Sequence, residues 1–249
     1  MIKEERHKII MREINLHNKV FSTDLAALLN ISDDTVRRDL NELIASKQVL
    51  KIHGGAISKS FVTPFITDSN VYALAAKQTI AQKTVKLLKN DMVILTEGGT
   101  TIIEFAKSIP RNLKATFFTI SPQVSITLAD HENLEVITIG GRLNKNANLH
   151  TGSSVINELS GLKVDLCLLG ANAFSVEDGL SDMDWEIVQV KKAIVRSSKK
   201  VAVLSISEKL NTSQRIQICD ISNISYLVTE LPADSHFLSA YANTSLKVV

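Results

Sequence analysis

Several things that mark special protein classes are scarce in this sequence. Cysteine occurs twice in 249 residues, at Cys167 and Cys219, far apart and in apolar-rich stretches. Such spacing offers no metal-ligand pair and fits two free thiols in a cytoplasmic protein. No apolar run approaches the roughly 18 residues that cross a bilayer. The stretch Met1 to Met11 carries Glu4 and Glu5 and lacks an apolar h-region, so neither a membrane partner nor a secretory leader is expected. Aromatics number twelve, with only Phe21 in the first 60 residues, which leaves no stacking platform for RNA. No G-x-S-x-G, H-E-x-x-H or Walker A run is present. The histidines His7, His17, His53, His131, His150 and His236 are scattered, so neither a metal centre nor another cofactor is expected. Net charge is also nearly absent: 28 Lys/Arg against 26 Asp/Glu leave +2, no sign of a nucleic-acid partner in the whole-chain balance.

What is present is an ordinary globular composition, 45% hydrophobic and 22% charged, which excludes an intrinsically disordered chain. The chain changes character near residue 60. Ten basic residues face eight acidic ones in residues 1–60, and 18 face 18 in the remainder, so the positive excess sits in the first quarter. Texture separates the parts better. Apolar spacing of three and four predicts helices over Glu4–His17 (Ile9, Ile10 and Ile14 inward), over Thr23–Leu29 behind Ser22 as N-cap (Leu25, Leu28 and Leu29 inward), and from Ser32, as cap, to Lys47. A strand, Val49–His53, ends in the turn signal Gly54-Gly55. Residues 1–57 then form one domain, 58–70 a linker with Pro64 and no period, and 71–249 a second domain. In that second domain a helix over Tyr72–Lys89 leads into strands at Met92–Thr96, Thr116–Ile120, Leu134–Ile139, Val164–Leu169, Val201–Ser205 and Ser225–Thr229. Helices at Thr101–Ile109, Pro122–Asp130, Ser153–Leu159 and Trp185–Ser198 alternate with them. That alternation predicts an α/β fold with a doubly wound, mainly parallel sheet.

The third helix carries the first functional signal. Val36, Leu40, Leu43 and Ile44 define its inner stripe, so Ser32, Thr35, Arg37 and Arg38 are offered outward beside a helix N-terminus. Such a terminus favours phosphate oxygens. Arginine can hold guanine in two hydrogen bonds or clamp a phosphate, and Ser or Thr can bond either. Lys51 and His53 on the following hairpin would reach adjacent backbone as a wing does. The other reading is a solvated basic pair neutralised by Asp33, Asp34 and Asp39.

The stretch Ser22 to Ala56, STDLAALLNISDDTVRRDLNELIASKQVLKIHGGA, closely resembles the winged helix-turn-helix of the DeoR family of bacterial transcription regulators. The family pattern S-x-x-T-I/V-R-R-D-L-x-x-L is met by Ser32, Thr35, Val36, Arg37, Arg38, Asp39, Leu40 and Leu43, and its H-G-G-A by His53 to Ala56. The resemblance implies a double-stranded DNA operator as partner, read by residues 20–40 and the wing. The expected contacts are Ser22, Thr23, Ser32, Thr35, Arg37, Arg38, Lys51 and His53. Asp39 either pairs with a neighbouring arginine to fix its direction or is a solvated charge.

In the α/β part, Glu97-Gly98-Gly99-Thr100-Thr101 follows a strand and opens a helix. Glycines admit an anion close to backbone while the helix N-terminus and two hydroxyls supply donors; a tight turn would need the same glycines. Gly140-Gly141-Arg142 is a second anion contact or a second turn. Gly179-Leu180-Ser181-Asp182 precedes the helix bearing Lys191 and Lys192. All lie at carboxyl ends of strands or the loops beyond, where open α/β sheets bind ligands.

Here residues 77–229 look like the DeoR-type sensor domain, related in fold to ribose-5-phosphate isomerases and CoA transferases. The D-x-G-T-T loop of that family is met by Glu97 to Thr101, its G-G by Gly140-Gly141, its G-L-T/S-D by Gly179 to Asp182, its V-K-K/R-A by Val190 to Ala193, and the lysine of its D-S-S-K by Lys209. The resemblance implies a phosphorylated sugar or similar metabolite as effector, held by these residues and Ser121, in a homodimer or homotetramer. Three positions depart: Glu97 replaces Asp, Thr119-Ile120-Ser121 replaces T-N-S, and Ile206 replaces the Asp of D-S-S-K. The alternative from another class is a sugar-phosphate isomerase with Glu97, Asp182 and Lys209 as skeleton. Against it, Ile206 removes a carboxylate, and catalysis would not explain the N-terminal module. The reading is a cytoplasmic DNA-binding regulator, a repressor, and not an enzyme.

Overall fold

The amphipathic spacing near the N-terminus produces three helices in the computed structural model, which describes residues 1–58 and 71–249: α1 (Lys3–His17), α2 (Ser22–Leu29) and α3 (Asp33–Ala45). Their inner faces meet in a core of Ile10, Ile14, Leu25, Leu29, Val36, Leu40 and Leu43, with Ile9 and Ile44 packed at its edge. Ser32 caps α3 as expected, its Oγ accepting the Thr35 N–H at 3.3 Å. Ser22 does not cap α2. Phe21 holds that position, and Ser22 opens the helix, buried, donating its N–H to the Gly54 carbonyl at 2.8 Å. A neighbouring loop thus satisfies the helix end in place of a side chain. Leu28, expected inward, is 58% exposed, because Leu25 and Leu29, four apart, take the single inner ridge of this short helix.

The wing is a three-stranded antiparallel sheet in the order β1 (Lys19–Phe21), β3 (Gly55–Ser58), β2 (Val49–Ile52). Its turn falls at His53-Gly54, one residue earlier than expected, and Gly55 already pairs with Phe21 and Ile52. A Cβ at Gly55 would stand 1.9 Å from the Val20 carbonyl oxygen, so only glycine lets β1 and β3 close. Ser58 belongs to β3, paired with Val49, and not to a linker; the rest of the expected linker lies outside the described residues.

Compact packing divides the chain into Met1–Tyr72 and Ala73–Val249. The second unit begins with α4 (Leu74–Val85), shorter than expected because Ala73 is left-handed (φ 51°) and the chain turns after Val85. Then follow β4 (Val93–Thr96), α5 (Thr100–Lys107), β5 (Ala115–Thr119), α6 (Pro122–Ala129), β6 (Leu134–Thr138), β7 (Arg142–Asn144), β8 (Leu149–Thr151), α7 (Ser153–Ser160) and β9 (Leu166–Gly170). The chain continues through β10 (Ala173–Ser175), β11 (Gly179–Asp182), α8 (Trp185–Arg196), β12 (Val201–Leu204), β13 (Ile216–Cys219), β14 (Tyr226–Val228), α9 (Ser239–Ala242) and β15 (Lys247–Val248).

Seven strands form one sheet in the order β15-β14-β12-β9-β4-β5-β6, every pair parallel. The expected parallel α/β fold is what forms, and its six strands are all members. Fully buried residues such as Ile94, Leu95, Leu168, Leu169, Ala202 and Val203 make the central strands apolar on both faces, as helix-covered parallel strands require. The β7–β8 hairpin, the antiparallel sheet β10-β11-β13 and β15 have no counterpart in the sequence reading. Order in the large sheet reverses at β4 and β9: the chain runs outward from β4 to β6, then returns to place β9 on the other side of β4. Loops after those two strands part in opposite directions, and a ligand crevice is expected there. Among the described residues no helix is long and apolar enough to cross a membrane. Cys167 and Cys219 are both free and buried, and burial pushes their thiols up to about 12 and about 11.

Candidate functional site

The outer side of α3 and the wing frame a cleft of about 310 Å³ lined by Ser22, Arg37, Asn41, Lys51, His53 and Gly54, among others. Arg37 is exposed and pairs with Asp33 at 2.7 Å, one turn back on its own helix. Arg38 is exposed, and its guanidinium has no hydrogen bond or ion pair among the described residues. Ser32 and Thr35 share a hydroxyl contact at 2.8 Å. Thr23, Lys51 and His53 are exposed.

Asp39 neutralises neither Arg37 nor Arg38. It is 2% exposed and faces α1, where Arg6 reaches it with Nε at 2.8 Å and a terminal nitrogen at 3.0 Å, and His7 Nε2 lies 3.3 Å away. Burial opposes the carboxylate's charge, but the Arg6 fork outweighs it and holds Asp39 below the usual range. Asp39 therefore pairs with an arginine, but with one distant in sequence. Pairing across helices ties α3 to α1 and keeps Asp39 away from the outward arginines. An Asp on the inner side of α3, flanking Val36 and Leu40, is the signal by which a buried partner could have been sought.

In the second unit the switch point carries a buried ionic cluster. Glu97, directly after β4, is 3% exposed and takes the N–H of Gly170, at the end of β9, on its Oε1. Lys191, from α8 and 5% exposed, stands 3.3 Å from Glu97 Oε2 and 3.3 Å from Asp182 Oδ2, and donates to the Gly170 carbonyl at 3.1 Å. Asp182, the last residue of β11, accepts from Asn172 at 3.1 Å and from the Met183 N–H at 2.7 Å. Burial works against each charge. For Lys191 the two carboxylates overcome it and raise its pKa; for Asp182 the lysine and donors overcome it and lower its pKa; for Glu97 burial prevails and the pKa rises. Glu97 Oε2, although beside Lys191, accepts no hydrogen bond among the described residues.

Beside this cluster, α5 starts at Thr100 behind Gly99, whose φ of 93° suits glycine and whose Cα opens on free space. No side chain caps this helix, so its first N–H groups have no intrahelical acceptor, and the hydroxyls of Thr100 and Thr101 flank them half-exposed. A Cβ at Gly98 would meet Ser121 Oγ at 2.8 Å, so the loop lies against the next strand end. Ser121 itself is buried and caps α6 through the Val124 N–H. Gly141 gives its N–H to His150 Nδ1 at 2.8 Å, while Gly140 is exposed with open space at its Cα. Arg142 is exposed and forms an ion pair with Glu186.

Lys209 sits in a short 3-10 turn after β12 and donates to the Ala171 carbonyl at 3.1 Å. Burial, reinforced by the charges of Lys77 and Lys191, lowers its pKa to about 7. Lys77, on α4, escaped the sequence reading, because a lone lysine in a helix gives no local signal. The structure brings Glu97, Asp182, Lys191 and Lys209 to one end of the sheet with the α5 N-terminus, and it turns Arg142 to a surface pair. Among the described residues no group of three or more His, Cys, Asp or Glu side chains is placed to hold a metal ion.

Comparison with known proteins agrees with both halves. Residues 6–61 match the DeoR-like helix-turn-helix domain and residues 73–231 the DeoR C terminal sensor domain. The regulator GolR of Listeria innocua is 27% identical over 251 residues, covering 100% of this chain and 98% of that protein. The glycerol-3-phosphate regulon repressor of Haemophilus influenzae is 27% identical, covering 90% and 88%, and the repressor GlcR of Bacillus subtilis is 28% identical, covering 92% and 89%. Among solved structures, ribose 5-phosphate isomerase A from Methanocaldococcus jannaschii matches 54% of this chain and 53% of its own at 20% identity and a TM-score of 0.39. With both of its domains matched in the same chain order, this protein belongs to the DeoR family of transcriptional regulators.

Proposed function

We propose that the protein is a repressor that binds a DNA operator through α3 and the wing and responds to a phosphorylated sugar or similar metabolite at the carboxyl ends of β4 and β9. The observation that carries the DNA half is Arg37 and Arg38 exposed on α3, with Asp39 engaged elsewhere. A cleft between helix and wing receives the groove edge, and Lys51 and His53 meet phosphates. Paired recognition helices in a homodimer or homotetramer would meet half-sites one or more DNA turns apart. The effector half is supported by the uncapped α5 terminus for a phosphate and by the open acceptor Glu97 Oε2 for a sugar hydroxyl. Two of the relatives are named glycerol-3-phosphate regulon repressors, and a third is named a transcriptional repressor. Repression relieved by ligand requires that the effector prefer one of two states of the protein.

No catalytic role is assigned. Glu97 and Asp182 are both engaged by Lys191, an arrangement suited to holding a ligand rather than to moving a proton. Robust turnover of a pentose or hexose phosphate by the purified protein would reverse that assignment.

Arg37→Ala and Arg38→Ala test the DNA half. Fluorescence anisotropy at fixed salt, on a duplex selected by the full-length protein from a random pool, is expected to show a loss of about 1–3 kcal/mol for each base-reading arginine. Unchanged affinity in both variants would remove α3 from the interface. For the effector half, a sugar phosphate that raises the melting temperature and releases the duplex should lose roughly tenfold in affinity in Thr100→Val, about one hydrogen bond to a charged group. A response of undiminished size would take Thr100 out of the site.

A further inference from the structure

Two adjacent arginines on one helix do not point the same way. Successive side chains diverge by about 100°, so Arg37 and Arg38 face different surroundings. Arg37 shares its side of α3 with Asn41, one turn later. Both line the cleft of about 310 Å³ between α3 and the wing, with Lys51 and His53 also on its walls. The opposite flank of α3 is taken by α1, where Arg6 holds Asp39 and Lys3 reaches Glu42 at 2.7 Å. Arg38 belongs to neither flank. It stands on the outermost ridge with Asp34 and Ala45, all three exposed, and its guanidinium is unpaired among the described residues.

The dimensions of DNA convert these directions into roles. A helix with its side chains is about 10–12 Å across and the major groove about 12 Å wide. A seated helix therefore meets base edges with its outermost ridge and sugar-phosphate strands with its flanks. A wing beside that helix lies beyond one of those strands, so the strand must pass between helix and wing. The cleft suits it: Arg37, Asn41, Lys51 and His53 can all donate to phosphate oxygens, and no acidic side chain is among its lining. Asp33, 2.7 Å from the Arg37 guanidinium, takes one of its donors and steadies the group along the flank. The ridge has the opposite chemistry. Asp34, one turn before Arg38, would repel a phosphate strand but can accept from a cytosine amino group, and Ala45 is too small to hold the helix off the base edges.

We propose that the two arginines divide the recognition of DNA: Arg38 reads a guanine by paired hydrogen bonds to O6 and N7, and Arg37 clamps the sugar-phosphate strand in the cleft between α3 and the wing. This rests on the DNA-binding reading above and adds which side chain sets the sequence preference. A base-reading arginine contributes only on the right sequence. A phosphate clamp contributes on every sequence and makes binding sensitive to salt.

Fluorescence anisotropy of the full chain tests the division, on the duplex it selects from a random pool and on every single-base-pair variant of that duplex, at several salt concentrations. Wild type is expected to lose roughly tenfold or more when one G·C pair in each half-site is changed. Arg38→Ala should level that position to about threefold or less. Arg38→Lys keeps the charge without the planar fork, and should level it too with the salt slope retained. Arg37→Ala should weaken all duplexes by a common factor, keep the base profile, and reduce the salt slope by about one per bound chain. Arg37→Lys should recover most of that loss, since a point charge suffices for a phosphate. A base profile unchanged in both Arg38 variants, or a base preference erased by Arg37→Ala, would overturn the division while leaving DNA binding by α3 standing. If the wild-type chain selects no duplex, the DNA-binding reading itself falls.

Discussion

Lys191→Met is expected to cost about 3–5 kcal/mol of stability, the usual penalty for removing one member of a buried ion pair. The methionine fills a similar volume, so the loss measures charge rather than packing. Lys191 is the cation between Glu97 and Asp182, each within 3.3 Å, and all three side chains are almost wholly inside. Without it two carboxylates face each other across a medium that screens poorly. The pH dependence separates this account from a simple packing defect. Both carboxylates in the variant have pKa values above those of the unfolded chain, so the deficit should shrink as the pH falls from 7 toward 5 and protons return to the pair. Urea unfolding of the full chain at several pH values measures both effects. A deficit below 1 kcal/mol, or one that grows on acidification, would show that the cluster is not held by this lysine.

Leu43→Ala should be comparably severe but confined to the first unit. Leu43 is 1% exposed on the inner stripe of α3 and packs in the cluster of Ile10, Ile14, Val36 and Leu40. Truncating such a leucine costs about 2–5 kcal/mol. A unit of this size buries little surface and has little stability to spare. Melting followed by circular dichroism should therefore show an early transition of small amplitude, with the later one unchanged. DNA binding should vanish at temperatures between the two. Arg37→Ala provides the contrast, because an exposed side chain on the outer face should lower affinity without moving either transition. Wild-type operator affinity in Leu43→Ala at 37 °C would break the link between the α3 stripe and the recognition surface.

The legible features are those whose cause is local. Ser32 can cap α3 because its own backbone leads into the helix, and the Thr35 N–H is three residues away. Six of the seven strands of the large sheet could be placed, the central ones because residues buried on both faces must be continuous apolar runs. Glu97 to Thr101 could be singled out because the glycines and hydroxyls stand together in the chain. Strand β1 was missed because three residues carry no period; its strand character comes from the Gly55 backbone beside it. Ser22 was misread for the converse reason. It has the chemistry of a cap, but the Gly54 carbonyl reached the helix end first.

Near-zero net charge and scarce cysteines described the chain without locating anything in it. The sequence by itself determined which residues lie on the two faces of α3, and hence that Arg37 and Arg38 point outward, because helical period is a property of neighbours. Only the tertiary structure decided which charges those arginines keep. Asp39 lies adjacent to Arg38 in sequence yet is buried against Arg6, 33 residues away, since a carboxylate inside the fold needs a partner that also reaches inside. The same holds at the sheet's end. Glu97, Asp182 and Lys191 come from three different elements and meet only because β4 and β9 are neighbours. Local period travels along the chain; the energy of a buried charge depends on what surrounds it in space, and that is fixed only when the sheet has closed.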